Sequence, residues 1–329
     1  MFSSRSISIS RRRFAVAMLA TPFAGVARAA ASFPSHPITL IVASSAGSST
    51  DSVARLTAKQ MNQFFNSPVI VENRPGAGNI IGWTTVARAP ADGYTLLTTE
   101  LSYVIAPGVV AHLPFDARRD FAQIVTIASV PHVMAINPSV PAKNVQEFIA
   151  YAKANPGKLN FGSGGLGTNP HMCGELFKSL AGVDLVHVPY KGAAAATQDL
   201  LTGQIQMLTS SIPTMLPYIK SGKLRALMVT SDKRSPVLPD VPSAVEVGMP
   251  KMVATFWVGL AAPAKTPAAV IARLNQAVVE SLSKPDFRKR LADMGMDPIG
   301  NTPAQATEFV SKEIDRWAAV AKTAHIQIG

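Results

Sequence analysis

Short apolar runs alternate with longer amphipathic stretches along most of this 329-residue chain. Ile38-Thr39-Leu40-Ile41-Val42 is a β-branched run of the length expected for a buried strand. A small-residue loop over 43–49 follows. Thr50 or Ser49 then caps a predicted helix with apolar positions at Val53, Ala54, Leu56, Ala58 and Met61. Residues 68–71 read as the next strand, Asn73-Arg74-Pro75-Gly76 as a turn, and 80–89 as a helix. Asp92-Gly93 turns the chain into a strand over 94–97. This β-α-β-α-β order predicts a parallel sheet with helices on both faces.

The middle of the chain repeats the pattern. Strands are predicted at 133–136, 159–161, 183–188, 205–208 and 225–229, with helices at 145–154, 172–180 and 194–201. After Pro263-Ala264-Lys265-Thr266-Pro267 the chain is mostly helical, over 268–283, 285–294 and 303–323. These last helices lack enough strands for a sheet of their own and must pack on an existing one. Residues 32–131 plus 254–329 are therefore expected to form one lobe and 132–253 a second, with two crossings.

Composition agrees with a large packed core. Hydrophobic residues are 47% and charged residues 16%, which disfavours disorder, and the length suits two domains. The single Cys173 excludes an internal disulfide framework and a cysteine-cluster metal site. The N-terminus carries Ser10-Arg11-Arg12-Arg13-Phe14, an uncharged apolar run over 14–26, and Ala27-Arg28-Ala29. This order reads as a secretory signal over residues 1–29, cleaved before Ala30, and its apolar run is too short to span a bilayer. Export to the periplasm is expected, by the Sec or the twin-arginine route. Removing 1–29 removes five arginines and no acid, so the formal charge falls from +11 to +6. The remaining excess favours anions. With no basic run left and few aromatics, no nucleic-acid partner is expected.

Three small-residue loops each follow a predicted strand and open a helix: Ser44 to Thr50, Gly162 to Thr168, and Tyr190-Lys191-Gly192-Ala193. Helix N-termini offer unpaired N–H groups and a partial positive charge, and glycine and serine admit an anion close to the backbone. Gly76-Ala77-Gly78-Asn79-Ile80-Ile81-Gly82 has the wrong spacing for a dinucleotide fingerprint and no acid at the expected distance, so no cofactor is expected. Ser163 with His171 offers a nucleophile and a base without an orienting carboxylate, Glu175 falling at i+4 from His171. His187 lies within a strand, and His36, His112, His132 and His325 have no metal-ligand spacing. Cys173 near a helix start is expected to be buried packing. Lys191 and Arg74 are the nearby cations.

Several motifs stand in one order: Val71-Glu72-Asn73-Arg74-Pro75-Gly76-Ala77-Gly78, Ala91-Asp92-Gly93-Tyr94-Thr95-Leu96, Leu113-Pro114-Phe115-Asp116 with Asp120-Phe121, His187-Val188-Pro189-Tyr190-Lys191-Gly192, Ser221-Gly222-Lys223-Leu224-Arg225-Ala226-Leu227, Leu238-Pro239-Asp240-Val241-Pro242, and Arg273-Leu274-Asn275. Together they closely resemble the Bug-type substrate-binding proteins of tripartite tricarboxylate transporters, from about Pro37 to the C-terminus. The resemblance implies an α/β fold of the type II periplasmic-binding class, with two lobes, a ligand cleft and Venus-flytrap closure. It implies a small carboxylate ligand (di- or tricarboxylate, acidic amino acid or aromatic carboxylate), a monomer, no cofactor, no metal, and no enzymatic activity. Membrane transporter subunits are the implied partners. A sensor presenting the same clamp to a receptor is the alternative, and a hydrolase or lyase using His171 a remoter one. The family's first carboxylate loop maps onto Ser45, Ala46, Gly47, Ser48, Thr50 and Asp51, with Gly47-Ser48 in place of Gly-Gly and Ser45 in place of proline. The second maps onto Ser163, Gly164, Gly165 and Thr168, with His171 beyond it. Tyr190, Lys191, Gly192 and Ala193 form a third wall. Ser210 stands where an acid is common, which removes a partner for a ligand amino group. Tyr103 is implied to shape the pocket.

Overall fold

The computed structural model describes residues 33–323 and 326–328. The signal segment 1–29 and His325 lie outside the described residues.

Strand β1 (Ile38–Val42) has four of its five residues buried and pairs in parallel with β2 (Val69–Asn73) and β3 (Thr95–Glu100). Burial on both faces explains the continuous apolar run. Helix α1 (Ser49–Phe65) begins at Ser48, whose hydroxyl accepts the Asp51 N–H, and ends at Asn66 in a left-handed conformation. Its buried residues Val53, Ala54, Thr57, Ala58 and Met61 recur at helical spacing. Helix α2 (Ile80–Ala87) and helix α3 (Leu101–Val109) follow β2 and β3.

Strand β4 (Phe121–Ile136) joins the two lobes. Phe121 to Pro131 pair antiparallel with β9 (Thr255–Pro263), whereas His132 to Ile136 pair with β7 (Met207–Ser211). Residues 133–136 also pair with β8 (Arg225–Val229). The chain returns to the first sheet beside this point. Thr230 N–H donates to His132 O at 2.8 Å, and Ala254 N–H donates to Thr230 O at 2.8 Å. Lobe one holds β2, β1, β3, β9 and the first part of β4, edged by β10 (Asp297–Pro298). Lobe two holds β8, the end of β4, β7, β5 (Asn160–Ser163) and β6 (Val186–Pro189). Around its sheet lie α4 (Val145–Ala154), α5 (Asn169–Ala181), α6 (Ala193–Thr202) and α7 (Ile212–Lys220). The C-terminal helices α8 (Ala268–Leu282), α9 (Pro285–Asp293) and α10 (Pro303–Thr323) belong to lobe one, where α10 crosses α3 and β4. At the α3 crossing a side chain on Gly108 would meet the Ala318 backbone at 2.7 Å.

The core follows this division only in part. Leu40, Trp83, Leu97, Ile127, Trp257 and Trp317 lie in one buried cluster that runs on into lobe two through Leu200, Leu208 and Met215, while Met134, Ile136, Phe148, Phe161, Phe177 and Met228 form a second within lobe two.

Five elements depart most from the sequence reading. Strand β4 starts twelve residues before the predicted strand at 133–136. Strands β9 and β10 and helices α3 and α7 carry no prediction. Strand β9 is buried on both faces, so it lacks alternation. Pro107 in α3 and Pro213 and Pro217 in α7 masked short helices. Pro213 sits in the first turn, where no N–H is needed, and Pro107 only two residues from its helix end.

Candidate functional site

A cavity of about 390 Å³ lies between the lobes. Five helix starts bound it: Ser49 of α1, Ser102 beside the start of α3, Asn169 of α5, Ala193 of α6, and Ser211 at the cap of α7. Each first turn brings N–H groups without intrahelical partners and a partial positive charge. Lys191 is exposed at the rim, and His132 is the other basic side chain on the wall. The site thus attracts anions through neutral donors, without burying a permanent cation.

The lobes touch directly. Ser49 Oγ lies 2.6 Å from Ser211 Oγ and 3.0 Å from Thr214 Oγ1. Asn169 N–H donates to Ser102 Oγ at 3.0 Å, and the Ser45 hydroxyl donates to Lys191 O at 3.3 Å. Backbone packing is equally close: a Cβ at Gly78 would sit 2.7 Å from Leu166 O, and one at Gly192 would sit 2.2 Å from Ser45 Oγ. These contacts describe a closed cleft.

Many residues picked out from the sequence meet on this wall: Ser45, Ser48 and Thr50 from lobe one, and Gly164, Gly165, Thr168, Tyr190, Lys191, Gly192, Ala193 and Ser210 from lobe two. Others are spent elsewhere. Ala46 and Gly47 are exposed and off the wall. Asp51 accepts from Gly47 N–H (2.9 Å) and Asn73 Nδ2 (2.9 Å) and pairs with Arg55 (3.0 Å). These donors and the Arg55 charge hold its carboxyl below the usual range against the opposing effect of burial. Asp51 therefore shapes the Ser45–Thr50 loop from behind.

Ser163 is fully buried; its hydroxyl donates to Gly165 O at 2.9 Å and lies 2.6 Å from His187 Nε2. His171 stacks on His187 with ring centroids 4.0 Å apart, and its Nδ1 accepts Gly167 N–H at 3.1 Å. Its Nε2 faces Glu175 at 3.9 Å. Burial pushes both imidazoles down, His187 to about 3 with help from His171. The imagined Ser163–His171 couple is not formed; the histidines brace the Gly162–Gly167 loop. Tyr103 is a second correction. It packs edge-on against Trp83 and Phe121, and its hydroxyl donates to Ala117 O, because α3 turns that face into the lobe-one core.

Residues that the sequence reading did not single out as ligand contacts complete the wall: Ser49, Asn79, Glu100, Ser102, His132, Asn169, Ser211, Thr214 and Phe256. Asn79 belongs to the glycine-rich segment dismissed as a nucleotide motif. There Gly76, Ala77, Gly78 and Asn79 all have positive φ, which turns the backbone toward lobe two. Ser49, Asn169 and Ser211 adjoin predicted residues and were within reach of the helix-start argument. Glu100 and His132 carried no local signal. Burial pushes His132 down to about 4, and its Nε2 accepts from Asn169 Nδ2. Among the described residues no group of three His, Cys, Asp or Glu side chains is placed to hold a metal, and no helix is long and apolar enough to cross a membrane.

Comparison with known proteins gives a consistent picture. The family described as "Tripartite tricarboxylate transporter family receptor" matches residues 53–326. The solved structure of the periplasmic binding protein BugD is 33% identical, covering 90% of this chain and 99% of its own, with a TM-score of 0.86. Rpa4515 of R. palustris, solved with adipate, gives the same four values. MatC from Rhodopseudomonas palustris, solved with malate, is 33% identical over 88% of this chain and 99% of its own, with a TM-score of 0.84.

Proposed function

Because the chain belongs to the tripartite tricarboxylate transporter family of receptors, we propose that it is a periplasmic solute-binding protein that encloses a small carboxylate between its lobes. The convergence of five helix N-termini on one cavity, with neutral donors in place of arginines, carries the reading. The carboxylates held by two of its structural relatives, malate and adipate, support the ligand class. One ligand carboxylate is assigned to the α1 start at Ser45, Ser48, Ser49 and Thr50, or to the α5 and α6 starts at Gly164–Asn169 and Gly192-Ala193.

The lobe boundaries are assigned at 131/132 and 253/254. The change of partner along β4 and the Thr230 bridge support this. In this reading the protein binds and releases its ligand unchanged, works as a monomer, and passes the ligand to membrane transporter subunits. Residues 1–29 direct export.

Titration calorimetry with a carboxylate panel, each member beside its primary amide, tests the core claim. Amide replacement is expected to weaken binding at least about tenfold, as a hydrogen-bonded charge is lost. A panel in which only neutral, apolar molecules bind would refute it. N-terminal sequencing of the exported protein checks cleavage before Ala30.

A further inference from the structure

Among the described residues, Glu100 is the one acidic side chain on the cavity wall. It ends β3, is 5% exposed, and makes no ion pair among the described residues. Its Oε2 accepts the Ser102 N–H at 2.8 Å and its Oε1 accepts from Asn79 Nδ2 at 3.2 Å, both neutral donors. Neighbouring elements bring no charge. β9, paired with it at Val258, has no ionisable residue, nor has the 77–87 segment that supplies Asn79. In α3 the only titratable side chain is Tyr103, turned away into the core. Across the cavity α5 presents Asn169, and its His171, Cys173, Glu175 and Lys178 are off the wall. The remaining titratable wall residues are His132, pushed down to about 4 and so neutral, Tyr190, pushed up to about 12 by burial and its bond to Asp199 and so neutral, and Lys191 at the rim.

A buried carboxylate without a cation is costly, and helix capping alone does not call for it, since serine, threonine or aspartate caps with a shorter side chain. Burial pushes Glu100 up to about 7, with the Ser102 and Asn79 bonds opposing the rise. The missing partner has one open place, the cavity itself.

We propose that Glu100 selects a ligand bearing a protonated nitrogen, so that the cavity takes a small amino-carboxylate, with its ammonium on Glu100 and its carboxylate on helix N-termini. This rests on reading the cavity as a carboxylate site. A dicarboxylate of the same length sets a second anion against Glu100, whereas an ammonium group neutralises it. The acid that Ser210 fails to supply from lobe two is supplied from lobe one. Closure is part of the selection. Ser102, whose N–H binds Glu100, accepts Asn169 N–H from lobe two at its hydroxyl, so the residue that holds the acid also joins the lobes.

Calorimetry on the intact mature protein at pH 6 and pH 8 tests this with matched pairs: glutarate and 4-aminobutyrate, adipate and 5-aminopentanoate, succinate and 3-aminopropanoate. The amino member of at least one pair should bind about tenfold tighter than its partner at pH 8. Its affinity should rise about tenfold from pH 6 to pH 8, as a group titrating near 7 ionises. Glu100→Gln should abolish that pH dependence and reverse the preference within the pair. Dicarboxylates that outbind every amino partner, or an affinity flat with pH, overturn the inference and leave the carboxylate reading standing. If Glu100→Gln binds nothing, the pH series on the unsubstituted protein decides. If only neutral molecules bind, both readings fall.

Discussion

Gly78→Ala isolates the contact between the lobes. Gly78 has φ +62° and ψ 34°, and its added methyl would lie 2.7 Å from Leu166 O, a backbone atom of the opposite lobe. That oxygen cannot swing aside as a side chain would, so the closed lobes must separate by several tenths of an ångström. Asn169 N–H to Ser102 Oγ, three residues from Leu166, lengthens with them. Overpacking of this kind costs about 1–3 kcal/mol. It falls on the closed state alone, so ligand affinity should drop by roughly 5- to 150-fold. The left-handed backbone adds a further cost of about 1 kcal/mol. That cost is common to open and closed forms and does not change affinity. Gly222→Ala supplies the control: φ is +70° there, and nothing lies within 4 Å of the added methyl. Calorimetric Kd values and urea unfolding of both variants separate the effects. Both should lose similar stability, and only Gly78→Ala should lose affinity. Unchanged binding by Gly78→Ala, or an equal loss in Gly222→Ala, would refute the reasoning.

Ser49→Ala removes the hydroxyl that meets Ser211 and Thr214 across the cleft, and Kd should rise by about 2- to 13-fold, from a loss of roughly 0.5–1.5 kcal/mol. An unaltered Kd would show that this contact does not support closure. Tyr103→Phe leaves the buried Ala117 carbonyl without its donor, so urea unfolding should report a loss of about 1–3 kcal/mol while Kd stays constant. A change in Kd would return Tyr103 to the pocket. The buried His132 is pushed down to about 4, so as pH falls the unfolded chain takes up a proton near 6.5 that the folded chain refuses. Its contribution to stability is therefore flat above about pH 6.5 and falls by about 1.4 kcal/mol per unit below it, down to about pH 4. His132→Gln should reduce that slope in urea unfolding between pH 7.5 and pH 5, and equal slopes would count against the assignment.

Periodicity and turn chemistry determined much of the architecture. The run Ile38 to Val42 is apolar because both faces of β1 are covered, and the loops after β1 and β5 are small because helices start there. Helix starts close to Ser48, Thr168 and Gly192 were legible for the same local reason, although the first cap is Ser48 and not Ser49 or Thr50 as expected.

Contacts distant in sequence decided the rest. β9 and the first part of β4 pair across a long stretch of sequence, Phe121 with Pro263 and Pro131 with Thr255, and their nearly continuous burial left no alternating signature to read. Asp51, Ser163 and His171 have the chemistry of binding residues, but their polar atoms are engaged behind the wall by Arg55, His187 and Gly167. Tyr103 faces Trp83 because α3 is rolled inward by its packing against α10. Glu100 looked like any acid at the end of a strand. Only the approach of Asn79, Asn169 and Val258 from three separate elements removes its water and any cation. Local sequence decides which atoms a residue offers; the packing of distant segments decides which of those atoms remain unpaired at the cavity, and an unpaired group is what a ligand can bind.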